Sequence, residues 1–270
     1  LFSLYKKAQT PWEWHKQIFE KAKKKNLIYF SSPFDETAVD FLEELNVPAY
    51  KIASFENNHY PLLKKVARTG KPVIMSLGLS TLDEIKRSFV YLKKNGCKQI
   101  ALLKCTSSYP ANTKDLNLFT IKDLKKKFNC EVGYSDHSLG IGAAISAVTL
   151  GATIIEKHFT LKKNKGVDGK FSIEKNEMQT LKKECTRSWQ ALGKVYYGPT
   201  KNERLYKKYK RSIYVSKLIL KGEKFTNENL KIVRPSYGLH PKFYENIIGK
   251  ISNSKIEMGT PFKKKYVRNK

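Results

Sequence analysis

The sequence predicts an α/β protein: a (β/α)8, TIM-type barrel that lacks its first two strands here, followed by a small β-rich domain. Two patterns support this fold class. Helix-like and strand-like segments alternate strictly through the first part of the chain, and every predicted strand ends in polar residues. Polar groups around one rim are typical of the top face of a TIM barrel, whereas an open doubly wound sheet concentrates its site at one switch point. After Leu192 the alternation stops, which predicts a second domain.

The alternating part contains six strand-like segments, each followed by a helix. The strands are LIYFSSPF, AYKIASFE, KPVIMSLG, QIALLKCTS, CEVGYSDH and ATIIEKHFT. The first helix is predicted from apolar residues at helical spacing in TPWEWHKQIFEKAKKKN. Thr81 and Glu84 have the spacing of a capping box at the start of another helix. The last helix of this part covers Glu174 to Leu192.

The sequence contains fewer strands than a closed barrel needs. A closed barrel of this type has eight strands, so the six predicted strands leave two unaccounted for. The chain begins with Leu1 instead of Met, and we expect the two strands to be encoded upstream. Without them, parallel edges and an apolar interior would be exposed. We therefore expect the 270-residue chain by itself to be inactive or poorly folded.

Cysteine usage and hydrophobic patterning favour a protein of the reducing cytoplasm. The four cysteines are widely spaced and include no CxxC pair, which argues against a zinc ribbon or a disulfide framework. The N-terminal segment lacks the features of a signal peptide. The uncharged stretch from Leu139 to Ile155 is short for a membrane helix, is rich in small residues and is bounded by Asp136 and Glu156. We expect a helix and a buried strand there, and no membrane span.

The formal charge of +28 raises the question of nucleic-acid binding. Lysine is spread over the whole chain, and runs such as Lys125-Lys126-Lys127 lie on amphipathic helices. No motif of interleaved aromatic and basic residues is visible. We therefore expect no nucleic-acid partner. An acidic small substrate would still be attracted to this surface.

His137 and His158 lie at the ends of two neighbouring predicted strands. Residues two apart on a strand share a face, so Ser135 points with His137 and Glu156 with His158. Parallel strands lie about 4.8 Å apart, which lets the two imidazoles meet over the barrel mouth. With water and substrate oxygens they would make a site for Mn²⁺, Mg²⁺ or Fe²⁺. The alternative is two unrelated polar histidines.

A second set of polar residues ends the earlier strands. The hydroxyls of Ser32, Ser54 and Ser76 and the ammonium of Lys51 suit a phosphate or a carboxylate. A lysine within a buried strand needs an anionic partner, so Lys51 is hard to explain structurally. Glu56 is a candidate general base or a residue that orients a metal-bound water, and its alternative role is a solvated loop carboxylate.

These residues together resemble a known family. The motifs SSPFD, YKIASFE, NNHYPLL, KPVIMSLG, CTSSYP, GYSDH and IIEKHFTL are similar to those of the sialic acid synthase family, which condenses phosphoenolpyruvate with an amino sugar. KGEKF, VRPSYGLHP and GTPF resemble that family's antifreeze-like (SAF) domain. Ala53-Ser54-Phe55-Glu56 and GVDGKFSIE resemble the pseudaminic acid synthase branch, since other branches usually have Gly-Ser-Gly-Glu. The resemblance implies a barrel at residues 1–193, a linker at 194–211 and the SAF domain at 212–270.

The resemblance also implies roles for individual residues. It implies that His137 and His158 bind a divalent metal, Mn²⁺ or Mg²⁺, and that Glu56 and Asp168 lie near this metal and the open-chain sugar. Contacts to phosphoenolpyruvate are implied for Ser32, Lys51, Ser54, Ser76 and Ser135. Tyr109 would line the sugar site, and Ser107 stands where relatives can have Asn. Arg234 would reach into the barrel of a partner subunit, which implies a domain-swapped homodimer.

The implied activity is that of a transferase. Phosphoenolpyruvate and 2,4-diacetamido-2,4,6-trideoxy-altrose would give pseudaminic acid and phosphate by metal-assisted, aldol-type carbon–carbon bond formation. One alternative is an N-acetylneuraminate or legionaminate synthase of the same family. Another is a non-catalytic protein that binds polyanions. The family's first two strands supply a Glu and a Lys to the site, and neither strand is present in this sequence.

Overall fold

The computed structural model describes residues 9–268 together with Ser3 and Lys6. The chain divides into two compact units, Leu1–Gly193 and Lys194–Lys270. The stretch predicted as a linker, 194–211, falls at the start of the second unit and contains a 3-10 helix, Glu203–Tyr209.

The first unit is built on a five-stranded sheet with the order β1-β2-β3-β4-β5, in which all neighbours are parallel. The strands are β1 (Tyr50–Ile52), β2 (Val73–Ser76), β3 (Ile100–Cys105), β4 (Glu131–Asp136) and β5 (Ile155–Lys157). Its helices are α1 (Trp12–Lys24), α2 (Glu36–Glu44), α3 (Tyr60–Arg68), α4 (Leu82–Lys94), α5 (Thr120–Phe128), α6 (Gly142–Thr149) and α7 (Lys175–Leu192). Successive βα units add parallel strands in chain order, as in a TIM barrel.

The sheet is curled, and one ion pair shows it. Lys51 on β1 and Glu156 on β5 belong to the two ends of the strand order, yet their Nζ and Oε2 atoms lie 3.3 Å apart. In a flat sheet four strand spacings would separate these strands by roughly 19 Å. The unit is therefore a partial TIM-type barrel, with its inner face enclosed by the curl.

The two faces of the sheet have different partners. Tyr50, Ile52, Met75, Leu102 and Tyr134 belong to the hydrophobic core that the sheet shares with the helices. Because side chains alternate along a strand, the intervening residues point into the curl. This alternation places the functional candidates on the inner face and the apolar core on the outer one.

The first predicted strand, LIYFSSPF, is not a regular strand. Its pairing with the sheet among the described residues is a single parallel bridge between Ser31 and Tyr50. The amide of Lys51 donates to the carbonyl of Ser31 at 3.3 Å. The prediction of six strands is therefore wrong by one, since a strand is defined by its ladder of partners and not by its own sequence.

Helix boundaries follow the capping signals in the sequence. Thr81 and Glu84 form the predicted capping box at the start of α4. Glu174 is the N-cap of α7, which ends at Leu192 as predicted. In residues 9–268 no helix has both the length and the apolar character that crossing a membrane requires.

The second unit has a small β-rich core of its own. Strand β6 (Ser212–Val215) pairs antiparallel with β7 (Leu230–Val233). Further antiparallel bridges join Ile219 to Ile256 and Tyr214 to Pro261. The short helix α8 (Tyr244–Ile247) supplies Ile247 to the core that surrounds Phe225 and Phe262.

Candidate functional site

The candidate site lies at the carboxyl ends of the parallel strands, on the inner face of the curl. Lys51, Ser76, Ser135 and His137 are all buried there, and His158 follows β5. The carboxyl ends of parallel strands meet at one edge because all strands run in the same direction. Five residues from the ends of four different strands are thus brought to one rim.

The two histidines face each other across this rim. Their ring centroids are 5.2 Å apart. His137 Nδ1 lies 3.0 Å from the carbonyl oxygen of Thr106, and His158 Nδ1 lies 3.2 Å from Asp168 Oδ2. Since a carbonyl can only accept, Nδ1 of His137 carries the proton in this contact, and Nε2 of each ring is the remaining nitrogen.

This donor set fits a divalent cation. Metal-binding histidines usually donate their second ring nitrogen to a carbonyl or a carboxylate, as His137 and His158 do with Thr106 and Asp168. In the part of the chain that the structure describes, no group of three or more His, Cys, Asp or Glu side chains is arranged to hold a metal. The protein would therefore supply two imidazoles, and oxygens from water or substrate would complete the coordination.

The two imidazoles differ in their electrostatic surroundings. Burial lowers the pKa of His158, and the neighbouring His137 lowers it further, which favours a neutral ring. Burial also opposes the charged form of His137, but hydrogen bonds to Cys105 and to the Thr106 carbonyl outweigh it and raise that pKa. His158 is thus the ring that more readily stays neutral and keeps a free electron pair.

An aromatic wall stands beside the histidines. The ring of Tyr109, a predicted sugar-site residue, lies 4.3 Å from that of His137 and 6.1 Å from that of His158. Phe171, which the sequence did not single out, lies 5.0 Å from the His158 ring and is buried. Tyr109 itself is 45% exposed. The wall offers an apolar surface with one accessible phenol.

Lys51 is the centre of a polar cluster on the inner face. Its ammonium donates to Ser76 Oγ at 2.7 Å and lies 3.3 Å from Glu156 Oε2. Ser135 donates to the other oxygen of Glu156, at 2.7 Å. The strand pattern places Glu156 on the same face as His158, but it does not assign Glu156 to the site. Its link to Lys51 depends on the curl of the sheet, which no local pattern reveals.

Ser54 and Ser107 approach each other over Gly78. The Gly78 amide donates to Ser54 Oγ at 3.1 Å. A Cβ at Gly78 would lie 2.0 Å from Ser107 Oγ and 2.8 Å from Ser54 Oγ. The position therefore requires glycine for close approach, and it brings two predicted substrate-binding serines to one point.

Glu56 has an oxygen without a partner. Its Oε2 atom is buried and makes no hydrogen bond within the described residues. Burial raises the pKa of Glu56, and the positive charge of Lys51 opposes this only in part. A buried polar atom that lacks a partner costs free energy, so it is a sign that a ligand donor is expected there.

Cys105 is a third site residue, after Phe171 and Glu156, that the sequence motifs do not assign. Its thiol lies 3.8 Å from His137 Nδ1 and 3.7 Å from Ser107 Oγ. Burial alone would raise the pKa of this thiol, but hydrogen bonds from His137, Ser54 and Ser107 lower it to about 7. The strand period could have revealed Cys105, because it is two residues before Ser107 and ends β3.

The remaining predicted residues are less tightly placed. Ser32 is half-buried beside the bridge at Ser31, and its hydroxyl makes no hydrogen bond to the residues the structure describes. Asp168 is in contact with His158 but is exposed, with 55% of its side chain accessible. Arg234 lies in the second unit, exposed, directly after β7. The structure thus gathers the predicted site residues of the first unit at one rim, whereas Arg234 is described only within its own unit.

Comparisons with known proteins identify relatives of both units of the chain. The model of the NeuB family matches residues 1–197, and that of the SAF domain matches residues 210–268. A pseudaminic acid synthase of Campylobacter jejuni is 43% identical over 264 residues, which are 97% of this chain and 77% of the relative. An N,N'-diacetyllegionaminic acid synthase of the same species is 41% identical over 242 residues, 88% of this chain and 72% of the relative.

A solved structure is also similar to this chain. The N-acetylneuraminic acid synthetase of Leptospira borgpetersenii, determined in complex with citrate, has a TM-score of 0.71 and 36% sequence identity; the match covers 76% of this chain and 72% of that one. The matching NeuB family model spans well over half of the chain. The chain therefore belongs to the NeuB, or sialic acid synthase, family and carries a C-terminal SAF domain.

Proposed function

We propose that this protein condenses phosphoenolpyruvate with 2,4-diacetamido-2,4,6-trideoxy-altrose to give pseudaminic acid and phosphate. The observation that carries the proposal is the convergence, at one rim, of the buried Lys51 cluster and the facing pair His137 and His158. One half of this rim suits a phosphorylated carboxylic acid, and the other suits a divalent cation with a carbonyl oxygen. The pseudaminic acid synthase of C. jejuni, 43% identical, supports the choice of product.

Phosphoenolpyruvate would bind at the Lys51 end of the rim. The ammonium of Lys51 already holds Ser76, and a trianionic ligand would replace Glu156 as its counter-ion. The hydroxyls of Ser54, Ser107 and Ser135, and that of Ser32 beside β1, would donate to its phosphate and carboxylate oxygens. The net charge of +28 favours the approach of such a ligand.

The sugar would bind at the histidine end. A divalent ion, Mn²⁺ or Mg²⁺, held by His137 and His158 would supply Lewis-acid polarisation of the aldehyde oxygen. Asp168 orients the His158 ring through Nδ1. Tyr109 and Phe171 provide a wall for the apolar face of the sugar. Glu56 would accept a hydrogen bond from a substrate hydroxyl or water at its unpartnered Oε2 atom.

The bond changes are balanced without an added redox partner. C3 of phosphoenolpyruvate forms a bond to the aldehyde carbon, whose oxygen becomes a hydroxyl. Water adds at C2, and phosphate leaves with cleavage of its C–O bond. The basic rim around Lys51 stabilises the charge that builds up on the leaving group.

Arg234 would complete the site of a second copy of the chain. Its guanidinium is exposed and forms no ion pair with any residue in 9–268. A planar bidentate donor suits a carboxylate or a polar sugar substituent. We therefore propose a domain-swapped homodimer, in which the SAF domain of one subunit contributes Arg234 to the barrel of its partner.

The second candidate is another nonulosonate synthase. The legionaminic acid synthase of C. jejuni, at 41%, is almost as similar as the pseudaminic acid synthase. Ala53 and Phe55 beside Ser54 favour the pseudaminic acid branch, and Phe55 is 58% exposed next to the site. The choice between these products depends on the sugar that the site accepts.

The decisive experiment measures phosphate release with Mn²⁺ and phosphoenolpyruvate. The trideoxy-altrose sugar, N-acetylmannosamine and the legionaminic precursor are each supplied separately. The 270-residue chain is assayed, together with any longer product of the same gene, and circular dichroism verifies folding. We expect release with the trideoxy sugar.

The other outcomes decide between the alternatives. Release with N-acetylmannosamine or the legionaminic precursor alone would move the assignment to that branch. The non-catalytic alternative predicts a folded protein that releases no phosphate with any of the sugars. It also predicts polyanion binding that is equally strong without metal and after His158→Ala.

A further inference from the structure

A buried ion pair lies directly behind the two histidines. Asp136 and Lys157 are partners in the register of β4 and β5. Lys157 Nζ lies 2.7 Å from Asp136 Oδ2, and their side chains are 1% and 0% exposed. Each is the residue immediately before one of the histidines, on the opposite face of the sheet.

The pair is part of a hydrogen-bonded network around Ser138. Oδ1 of Asp136 accepts hydrogen bonds from the Ser138 amide at 2.8 Å and the Ser138 hydroxyl at 2.6 Å. The hydroxyl of Tyr134 lies 3.2 Å from the same oxygen. Lys157 also donates to the carbonyl of Ser138 at 2.5 Å. The network therefore fixes the backbone on both sides of His137 and ties it to the residue before His158.

An ion pair in this place needs an explanation beyond stability. Moving two charges out of water costs several kcal/mol per ion, and well-packed apolar residues often serve as well or better. The outer face of β4 and β5 already carries Val132, Tyr134 and Ile155 in an apolar layer. An apolar pair would continue that layer, but it would not lock one strand end to the other in a single geometry.

The backbone carbonyl of each histidine is held by the amide of a more distant residue. The carbonyl of His137 accepts from the Ala111 amide at 3.0 Å, and that of His158 accepts from the Ile173 amide at 2.9 Å. These two bonds lead to different loops and do not join the histidines to each other. Among the described residues, Lys157 joins the two strand ends on the outer face through Asp136 and the Ser138 carbonyl. On the inner face the Ser135–Glu156 hydrogen bond joins them two residues before the histidines.

We propose that Asp136 and Lys157 are positioning residues that set the separation and orientation of His137 and His158 for a divalent cation. The inference rests on the proposed function, because it concerns the cation that those two imidazoles would hold. Neither residue touches the substrate, and both act through the backbone of the adjacent histidine.

The test uses the double variant Asp136→Asn/Lys157→Met in the full chain. It removes both charges together, so that no buried charge is left unpaired. Mn²⁺ binding is measured by the electron paramagnetic resonance signal of the free ion, without substrate. Thermal stabilisation by phosphoenolpyruvate is measured in parallel and reports on the Lys51 end of the site. Asp40→Asn, which breaks the exposed pair Lys65–Asp40, is the matched control.

We expect the folded double variant to bind Mn²⁺ roughly tenfold or more weakly than wild type. Its stabilisation by phosphoenolpyruvate and the Mn²⁺ affinity of Asp40→Asn are expected to match wild type. A folded double variant with wild-type Mn²⁺ affinity would overturn the inference. If the double variant does not fold, the ion pair is required for the stability of the whole sheet and not specifically for the histidines. That result would overturn the inference too. If folded wild-type protein does not bind Mn²⁺, the metal site is removed from the proposed function. The inference about Asp136 and Lys157 then fails as well.

Discussion

Gly78 shows how a single backbone position controls the site. Its α-carbon is so close to Ser54 and Ser107 that a methyl group would overlap the Ser107 hydroxyl. We expect Gly78→Ala to rotate Ser107 away and to reduce kcat/KM on the order of 100-fold, as misplacement of about 1 Å can do. Steady-state kinetics of phosphate release measure this change.

Gly142→Ala is the matched control for this substitution. A Cβ at Gly142 meets nothing within 4 Å, and the residue begins α6. We expect wild-type kinetics for Gly142→Ala. Equal rates for the two variants would contradict the role assigned to Gly78.

Glu156 is expected to compete with the anionic substrate for Lys51. In Glu156→Gln the carboxylate no longer neutralises the ammonium 3.3 Å away. The KM for phosphoenolpyruvate should therefore fall by up to roughly fivefold, about 1 kcal/mol, because the glutamate side chain of this pair is 40% exposed. The kcat should also fall, because Ser135 loses a charged acceptor. Initial rates over a range of phosphoenolpyruvate concentrations separate the two effects.

Glu228→Gln serves as the control for the loss of a carboxylate. It breaks the exposed pair with Lys217 in the second unit. An unchanged or higher KM in Glu156→Gln, with a wild-type KM in Glu228→Gln, would show that Glu156 does not oppose substrate binding.

At the scale of elements, α4 depends on its capping box. The Thr81 hydroxyl accepts from the Glu84 amide at 3.3 Å, and Glu84 Oε2 accepts from the Thr81 amide at 2.7 Å. We expect Thr81→Ala to lower the free energy of unfolding by about 1 kcal/mol. Chemical denaturation monitored by circular dichroism measures it, and Thr186→Ala, on the exposed face of α7, should show a smaller effect.

The same capping box makes the stability of the protein depend on pH through Glu84. Hydrogen bonds from the Thr81 amide and hydroxyl lower the pKa of Glu84 below its ordinary value of 4.5. A carboxyl with a lowered pKa in the folded state stabilises the protein above pH 4.5, and this contribution is lost as the pH falls through the lowered pKa. The stability difference between wild type and Glu84→Gln should therefore shrink on acidification. Parallel stability curves at all pH values would refute this assignment.

The elements themselves show where sequence patterns succeed. Capping residues and apolar periodicity act within a few residues, so α4, α7 and the strands β1 to β5 follow the predicted order. LIYFSSPF has the composition of a strand but only one bridge, at Ser31, because a ladder needs a neighbour that composition does not specify.

At the scale of the whole molecule, the proposed domain swap can be tested by complementation. His158→Ala inactivates a barrel, and Arg234→Ala weakens the partner's site. If subunits exchange, mixing the two variants should restore about a quarter of wild-type activity, because half of the dimers are mixed and each has one intact site. Phosphate release after mixing, unfolding and refolding measures the recovery.

Two controls accompany this mixture. His158→Ala mixed with Asp136→Asn should show no recovery, since each subunit of the mixed dimer then has a defect in its own barrel. Failure of His158→Ala and Arg234→Ala to complement, in a protein that is dimeric by size-exclusion chromatography, would place Arg234 in the site of its own chain.

The sequence by itself determined the alternating α/β order, the helix caps and the placement of polar residues at strand ends, because these depend on the local periodicity of the backbone. It also paired His137 with His158 through neighbouring strands. The tertiary structure alone decided the contact of Lys51 with Glu156, the approach of Ser54 to Ser107 over Gly78, and the buried pair behind the histidines. These contacts depend on the curl and register of the sheet, which arise from packing between segments far apart in the chain.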